Sequence, residues 1–159
     1  MQGVGTVWNP FVIENITDFQ NIELDKTAHY ILNSDIDGSA TSGWAGGFVP
    51  IAGAVAPYDF SGSLDGRGHK VTNLYINPGI AEGCFVFYSV TGTIQNIGFE
   101  DVEISTAIVV SGVCAINSGF IRSTWITGIV DNGYYVSGFC DTNSGEISNC
   151  YARTRKTTA

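Results

Sequence analysis

The stretch that decides the fold is residues 112–119 (GVCAINSG), because it recurs 26 positions later as residues 138–145 (GFCDTNSG). Both copies place a cysteine third and end in Asn-Ser-Gly. That ending is typical of a tight turn, since glycine tolerates positive φ and asparagine bonds to nearby backbone. The repeat predicts that equivalent residues of the two copies lie directly over each other, with Asn117 and Asn143 forming an amide ladder.

A second set of similar segments extends the repeat upstream. The segments are residues 71–76 (VTNLYI), 94–99 (IQNIGF), 121–126 (IRSTWI) and 147–152 (ISNCYA), and their starts are 23, 27 and 26 residues apart. The first position is always Val or Ile and the third always Asn or Ser. Stacking of the segments would therefore place aliphatic side chains in one column and turn-forming residues in another.

Repeats of this length favour a coil of short strands, because helical repeats usually need about 33 residues or more. We predict a parallel β-solenoid whose layers lie about 4.8 Å apart. The expected organisation is a single domain with an N-terminal cap at 1–29, coils at 30–152 and a basic tail at 153–159, where Arg153, Arg155 and Lys156 lie beyond the last strand.

Less repetitive elements are expected in the first half. Residues 17–20 (TDFQ) match a capping box and predict a short helix covering one end, with Ile16, Phe19 and Ile22 on one face. Strands are predicted at 30–37 and 48–51, and two more around an Asp-Gly turn within 60–71. Residues 38–47 and 52–59 are predicted to be loops.

Composition excludes several classes of protein. Of the 159 residues, 14% are charged and 20 are glycine, which is typical of neither a disordered chain nor a coiled coil. The net charge of −8 opposes binding to nucleic acid. No apolar run reaches the roughly 20 residues of a membrane span, and the first residues lack the layout of a signal peptide. We therefore expect no nucleic-acid partner and no membrane insertion.

With these segments, residues 11–152 resemble the GLUG-repeat family of bacterial surface proteins, which is related in architecture to filamentous-haemagglutinin-type adhesins. The resemblance rests on residues 30–37, 49–53 (VPIAG), 60–69 (FSGSLDGRGH) and the repeats ending at 147–152. The family's Gly-Leu-aliphatic-Gly block lacks its second glycine at 83–86, 112–115 and 138–141, so we expect a wider or differently bent coil there. The resemblance implies a right-handed parallel β-helix used for display or adhesion, and it transfers no catalytic residue.

Clustered acids keep an enzyme hypothesis open, because glycan-cleaving enzymes use carboxylate pairs about 5 to 9.5 Å apart. Asp35 with Asp37 is one candidate pair and could also hold Ca²⁺, but the following Gly-Ser favours capping of a turn. The other candidate, residues 100–103 (EDVE), interrupts an apolar alternation in the way a solvated corner does. We expect no catalytic residue, no metal site and no cofactor, and His69 to pack or bond at the start of a strand.

The four cysteines, Cys84, Cys114, Cys140 and Cys150, lie in apolar surroundings. Cys114 and Cys140 occupy equivalent repeat positions and should lie about 5 Å apart. Parallel Cβ vectors at that spacing suit a disulfide poorly, so a buried ladder of free thiols is expected.

The fifth column of the second repeat set contains Tyr75, Gly98, Trp125 and Tyr151. Alternation turns this column away from its apolar neighbours, so Tyr75, Trp125 and Tyr151 are the candidate binding surface, suited to sugar stacking or protein contact. The alternative is that a loop such as 38–47 covers these rings.

The sequence thus favours a non-catalytic structural or adhesive module, extracellular on a bacterial surface or part of a phage or virus particle. Its partner would be a protein or glycan ligand, or other copies of itself in a homo-oligomer. The alternatives are a filament subunit that stacks end to end and a carbohydrate-processing enzyme on the same scaffold.

Overall fold

The computed structural model describes residues 1–53, 56–77, 83, 85–105, 109–131 and 135–155. Short strands dominate these residues, accompanied by one α-helix, α1 (Ile16–Gln20), and 3-10 helices at Asn21–Leu24 and Ser39–Gly43. In chain order the strands are β1 (Phe11–Ile13), β2 (His29–Leu32), β3 (Ile36–Asp37), β4 (Ser63–Asp65), β5 (Lys70–Thr72), β6 (Tyr75–Ile76), β7 (Phe87–Val90), β8 (Thr93–Gln95), β9 (Gly98–Ser105), β10 (Val109–Ser111), β11 (Cys114–Asn117), β12 (Phe120–Arg122), β13 (Trp125–Asp131), β14 (Tyr135–Ser137), β15 (Cys140–Asn143), β16 (Glu146–Ser148) and β17 (Tyr151–Arg155).

Neighbouring strands pair in parallel throughout the sheets of the described chain. The first sheet has the order β1-β2-β4-β8-β12-β16, and the second has the order β3-β5-β9-β13-β17 with β6 also on β9. The third sheet is β7-β11-β15 and the fourth is β10-β14. Successive repeats therefore add one strand each to several sheets, which confirms the predicted all-β parallel class. No helix among the described residues is long and apolar enough to cross a membrane.

The column of residues that contains Ile94 in the first sheet confirms the stacking of repeats. It also shows that the predicted segment 71–76 does not belong beneath Ile94. Ile94 pairs with Ile121, which pairs with Ile147, as the repeat predicts. The residue under Ile94 is Leu64, however, while Val71 lies under Phe99 in the second sheet. Tyr30 lies in the same column and pairs with Leu64. Successive residues of the column, from Tyr30 to Ile147, are 34, 30, 27 and 26 positions apart in the sequence. Long loops in the early layers thus shift the apparent period, and the spacing of 23 residues was misleading.

Glycine stands at the same corner in four successive layers, just before the first-sheet strands. A Cβ at Gly92 would collide with the carbonyl oxygen of Gly62, and one at Gly119 with the carbonyl oxygen of Gly92. Gly145 meets Gly119 in the same way. The corners therefore stack backbone on backbone, and only glycine allows this approach. The repeated Asn-Ser-Gly is the downstream half of this longer column.

The third position of the repeated segments has the predicted turn role. Asn73, Asn96, Ser123 and Asn149 all adopt positive φ, between 47° and 56°. Downstream, the Asn117 Nδ2 donates to Asn143 Oδ1 at 2.7 Å, which confirms the amide ladder.

The N-terminal segment packs against the core through aromatic contacts. Asn15, two residues before the predicted start, caps α1 by accepting a hydrogen bond from the Asp18 amide at 2.9 Å. Ile16, Phe19 and Ile22 are buried as expected. The Phe19 ring centroid lies 5.5 to 6.5 Å from the ring centroids of Phe48, Phe87 and Phe99.

Several predicted element boundaries change. Residues 30–37 fall in two strands, β2 and β3, separated by a bend. Residues 48–51 form no strand, and only Ile51 among them makes a β-bridge, to Phe87. The two strands around Asp65-Gly66 are present as β4 and β5, but they belong to different sheets. Arg153 and Arg155 lie within β17 rather than beyond the last strand, and Lys156 is outside the described residues.

Replacement of a corner glycine should destabilise the protein strongly. For Gly119→Ala we expect a loss of about 3 kcal/mol in the free energy of unfolding, because the backbone of the layer below must move to admit the methyl group. Urea denaturation measures this loss.

Gly43→Ala is the matched control, since nothing lies within 4 Å of a Cβ at that position. It should change stability by no more than about 1 kcal/mol. Equal effects of the two substitutions would contradict the backbone contact.

Candidate binding surface

Trp125 and Tyr151 form an aromatic stack on the outside of the second sheet. Trp125 begins β13 and pairs with Tyr151 at the start of β17. Their ring centroids are 6.4 Å apart and their planes differ by 14°. The Trp125 side chain is half-buried, whereas Tyr151 is 56% exposed. The two residues therefore present one continuous aromatic surface to solvent.

The indole of Trp125 rests on Gly98, its neighbour in β9. A Cβ at Gly98 would lie within 2.6 Å of the indole atoms Cε2, Cζ2 and Nε1. The missing side chain thus leaves space for the ring to lie flat over the backbone. Glycine interrupts the aromatic column at position 98 because a larger side chain there would occupy the space of the Trp125 indole.

A charged pair holds the edge of the indole. The Trp125 Nε1 donates to Glu100 Oε1 at 3.0 Å, and the Lys70 Nζ donates to Glu100 Oε2 at 2.7 Å. The hydrogen bond from Lys70, followed by that from Trp125, holds the pKa of Glu100 below its ordinary value. The same pairing raises the pKa of Lys70. Each oxygen of the carboxylate therefore has its own donor, which fixes the orientation of the ring.

A polar trough of about 490 Å³ adjoins the indole. Asp65, Arg67, Gly68, Asn96 and Ser123 line it together with Trp125. These residues come from the turns that join the first and second sheets, so the trough lies at the corner between them. It offers a guanidinium, an amide and a hydroxyl beside an aromatic ring.

Asp65 organises this corner. Its carboxylate accepts hydrogen bonds from the Arg67 amide at 2.8 Å, Gln95 Nε2 at 2.9 Å and Asn96 Nδ2 at 3.1 Å. Burial acts to raise the pKa of Asp65, but these bonds and the Arg67 charge outweigh it and leave the pKa lowered. Arg67 is held in turn by Asn33 Oδ1 at 2.8 Å from its guanidinium.

Tyr75, the third predicted surface residue, lies elsewhere. It pairs with Glu103, five positions along β9 from Gly98. The loop at 38–47 contacts Tyr75: Thr41 Oγ1 accepts from the Tyr75 amide at 2.9 Å, and Gly47 lies against one side of the ring. Tyr75 is half-buried, as Trp125 is, but it does not join the Trp125–Tyr151 stack.

The acidic candidates have local structural partners. Asp37 caps the turn that follows it by accepting from the Ser39 amide at 2.9 Å. Asp35 lies 3.1 Å from His69 Nδ1 at the start of β5, where a histidine contact was predicted. Residues 100–103 do not form a corner: β9 runs through them with a bulge, and Asp101 adopts a φ of 52°.

Among the described residues, no group of three or more His, Cys, Asp or Glu side chains is arranged to hold a metal ion. Cys114 and Cys140 pair in register as free thiols, with Cys114 buried and Cys140 half-buried. Cys84 lies outside the described residues.

Sequence reasoning missed Lys70 and the trough. The 23-residue spacing placed Val71 under Ile94, so Lys70 was not recognised as the neighbour of Gly98. The segment 60–66 (FSGSLDG) could have revealed the correct alignment. Its Ser-Gly at 61–62 matches the Thr-Gly at 91–92, and this match places Leu64 in line with Ile94.

Comparison with known proteins supports a repeat architecture. No family model matches the chain, so membership of the GLUG-repeat family is not established. Halomucin from Haloquadratum walsbyi is 35% identical over 150 residues, which cover 88% of this chain and 2% of halomucin. The chain therefore spans only a very small part of this much longer relative.

The crystal structure of a "putative immunoglobulin A1 protease" from Bacteroides ovatus superposes with a TM-score of 0.71. The match covers 98% of this chain and 50% of that one, at 22% sequence identity. At this identity the likeness concerns the fold alone. The chain thus shares its parallel-strand fold with a solved protein and its sequence with a segment of a very long one.

Proposed function

We propose that this chain is a non-catalytic adhesive module, a right-handed parallel β-solenoid displayed at a cell surface, and that it binds glycans. The observation that carries the proposal is the Trp125–Tyr151 stack, seated on Gly98 and open to solvent. An exposed aromatic surface is expensive to maintain in water, and its usual role is contact with a ligand.

The trough beside the stack favours a sugar as that ligand. A sugar ring presents a C–H face to an aromatic ring and hydroxyl groups around its edge. Arg67, Asn96 and Ser123 line the trough at that edge and offer both donors and acceptors. Trp125 is held by Glu100 before any ligand arrives, so little side-chain entropy is lost on binding.

The carboxyl groups support a non-catalytic role. A glycosidase needs one carboxyl whose pKa is raised so that it can donate a proton. The described carboxyl groups whose pKa departs from its ordinary value all have it lowered: Asp37, Asp65, Glu100 and Glu146. Those next to the aromatic surface, Asp65 and Glu100, are also occupied by hydrogen bonds from neighbouring side chains.

Similarity to halomucin favours a cell surface over a phage or virus particle as the place of display. A module displayed at a cell surface has the task of extending outward and making contacts along its length. Stacked parallel layers suit this task because each layer is bonded to the next and the whole resists bending.

Trp125→Ala should weaken glycan binding roughly tenfold or more, because a tryptophan at the centre of a contact surface contributes about 2 kcal/mol. Binding to a glycan array, followed by titration of the glycans that bind, measures the effect. Trp8→Ala is the matched control, since Trp8 is 94% exposed and is not among the residues that line the trough. Unchanged binding by the Trp125 variant would remove this surface from consideration.

Lys70→Met should raise the pKa of Glu100, because it removes the hydrogen bond and the charge that lower it. Carbon-13 NMR of the Glu100 carboxyl across a pH titration measures the shift. Since the folded pKa is lowered, the pair stabilises the protein fully above the ordinary glutamate value of about 4.3. That contribution is lost as the pH falls through the folded pKa.

Arg122→Met is the control for this titration. Arg122 pairs with Glu146 in the first sheet, so its removal should leave the Glu100 midpoint unchanged. An identical Glu100 midpoint in the wild type and in Lys70→Met would contradict the ion pair.

A filament subunit is the second candidate, favoured by the last described layer. Phe139, Ile147 and Cys150 pack against the core there but are only partly buried. The strands β15, β16 and β17 each end their sheet within the described residues. Light scattering at several concentrations tests this candidate: a mass that rises with concentration supports it, and a persistent monomer contradicts it.

A further inference from the structure

A second cleft, of about 350 Å³, lies beside the third sheet. Val49, Pro50 and Gly53 form one side of it. The other lining residues are aromatic or adjoin an aromatic residue: Tyr58, Gly83, Phe85 and Tyr88. The residues of this cleft and those of the Trp125 trough do not overlap. We call it the tyrosine cleft.

The cleft exists because the chain leaves the stack at this point. Ile51 bridges to Phe87 and Phe60 bridges to Val90, both in parallel. Two residues separate Phe87 from Val90, whereas eight separate Ile51 from Phe60. We refer to the described residues 52–53 and 56–59 as the excursion: they belong to no strand, and their Tyr58 meets Tyr88 of β7 edge to face. Insertions of this kind on a rigid scaffold commonly carry binding residues.

The three rings form a cluster that is closed at its base and open above. Phe85 is 4% exposed, Tyr88 is 37% exposed and Tyr58 is 53% exposed. The Phe85 and Tyr88 centroids are 5.4 Å apart, and the Tyr58 and Tyr88 rings meet edge to face at 6.4 Å. Within the described part of the chain, neither tyrosine hydroxyl has a hydrogen-bond partner, so both are free to contact a ligand.

Side chains from the N-terminal helical segment hold the opposite wall in place. The Gln20 amide donates to the Val49 carbonyl at 3.0 Å and accepts from the Val49 amide at 2.8 Å. Glu23 Oε2 accepts from the Ala52 amide at 2.5 Å. The wall is thus fixed by bidentate and charge-assisted bonds before any ligand is present.

The charge around the cleft restricts the ligand. None of the described residues that line the cleft is cationic. Asp59, next to Tyr58 in the chain, is held by a hydrogen bond from Ser89 Oγ at 2.5 Å. With a net charge of −8 on the chain, an anionic ligand is disfavoured.

We propose that the tyrosine cleft is a second ligand site that takes one ring of a neutral saccharide. Its volume is at the lower end of the range of about 300 to 1,000 Å³ for small-ligand sites. Three aromatic rings supply stacking faces, and the two free hydroxyls supply polar contacts at the rim. The site does not depend on the Trp125 surface, because it is built from other elements.

Two-dimensional NMR titration of the intact chain tests the site, with galactose, mannose, N-acetylglucosamine and cellobiose as probes. We expect at least one of them to shift the signals of Tyr58, Phe85 and Tyr88. Tyr58→Ala should weaken that binding at least tenfold. The exposure of Tyr58 makes this variant compatible with folding, which the amide spectrum checks.

Two controls separate this site from the Trp125 surface and from nonspecific aromatic contact. Trp125→Ala and Tyr135→Ala, the latter at a tyrosine that is 67% exposed, should leave the binding unchanged. Glucuronate should bind more weakly than the neutral sugars.

Any of three results overturns the proposal. The first is no shift with any of the four sugars, including the case in which a hexaproline peptide binds in their place. The second is equal binding by the wild type and Tyr58→Ala, and the third is binding of glucuronate as tight as that of the neutral sugars.

Discussion

The close approach of backbone to backbone at the glycine corners is the constraint on which the remaining structure depends. Each corner lies directly on the carbonyl of the corner below, with no space for a side chain between them. This contact sets the register of the strand that follows. The register in turn places Leu64, Ile94, Ile121 and Ile147 in one column, so hydrophobic burial and hydrogen bonding act on the same alignment.

The two candidate sites arise where the chain departs from this regular stacking. At the corner after β4, the additional turn residues Arg67 and Gly68 open the polar trough beside Trp125. Beside β7, the excursion between Ile51 and Phe60 opens the tyrosine cleft. Regular layers supply rigidity, and local insertions supply surfaces that a ligand can enter. These insertions lie in the early layers, which is why those layers contain more residues than the late, regular ones.

Two of the few cations of this acidic chain, Lys70 and Arg122, lie opposite acids in an adjacent layer. Lys70 meets Glu100 from β5 to β9, and Arg122 meets Glu146 from β12 to β16. Such exposed pairs contribute little to stability one by one. At Trp125 the pair has a different effect, because Glu100 also accepts from the indole and so fixes an aromatic surface. An isolated surface ion pair thereby becomes part of the candidate binding surface.

The sequence alone determined the parallel-strand class, the pairing of Ile94, Ile121 and Ile147, the amide ladder at Asn117 and the pairing of Trp125 with Tyr151. These follow from residues that recur at nearly constant spacing, because equal path lengths return the chain to the same position. Tertiary structure alone decided that the 38–47 loop contacts Tyr75, that Lys70 reaches Glu100 and that Tyr58 meets Tyr88. These contacts depend on loops of unequal length, and no periodicity in the sequence encodes where such a loop ends in space.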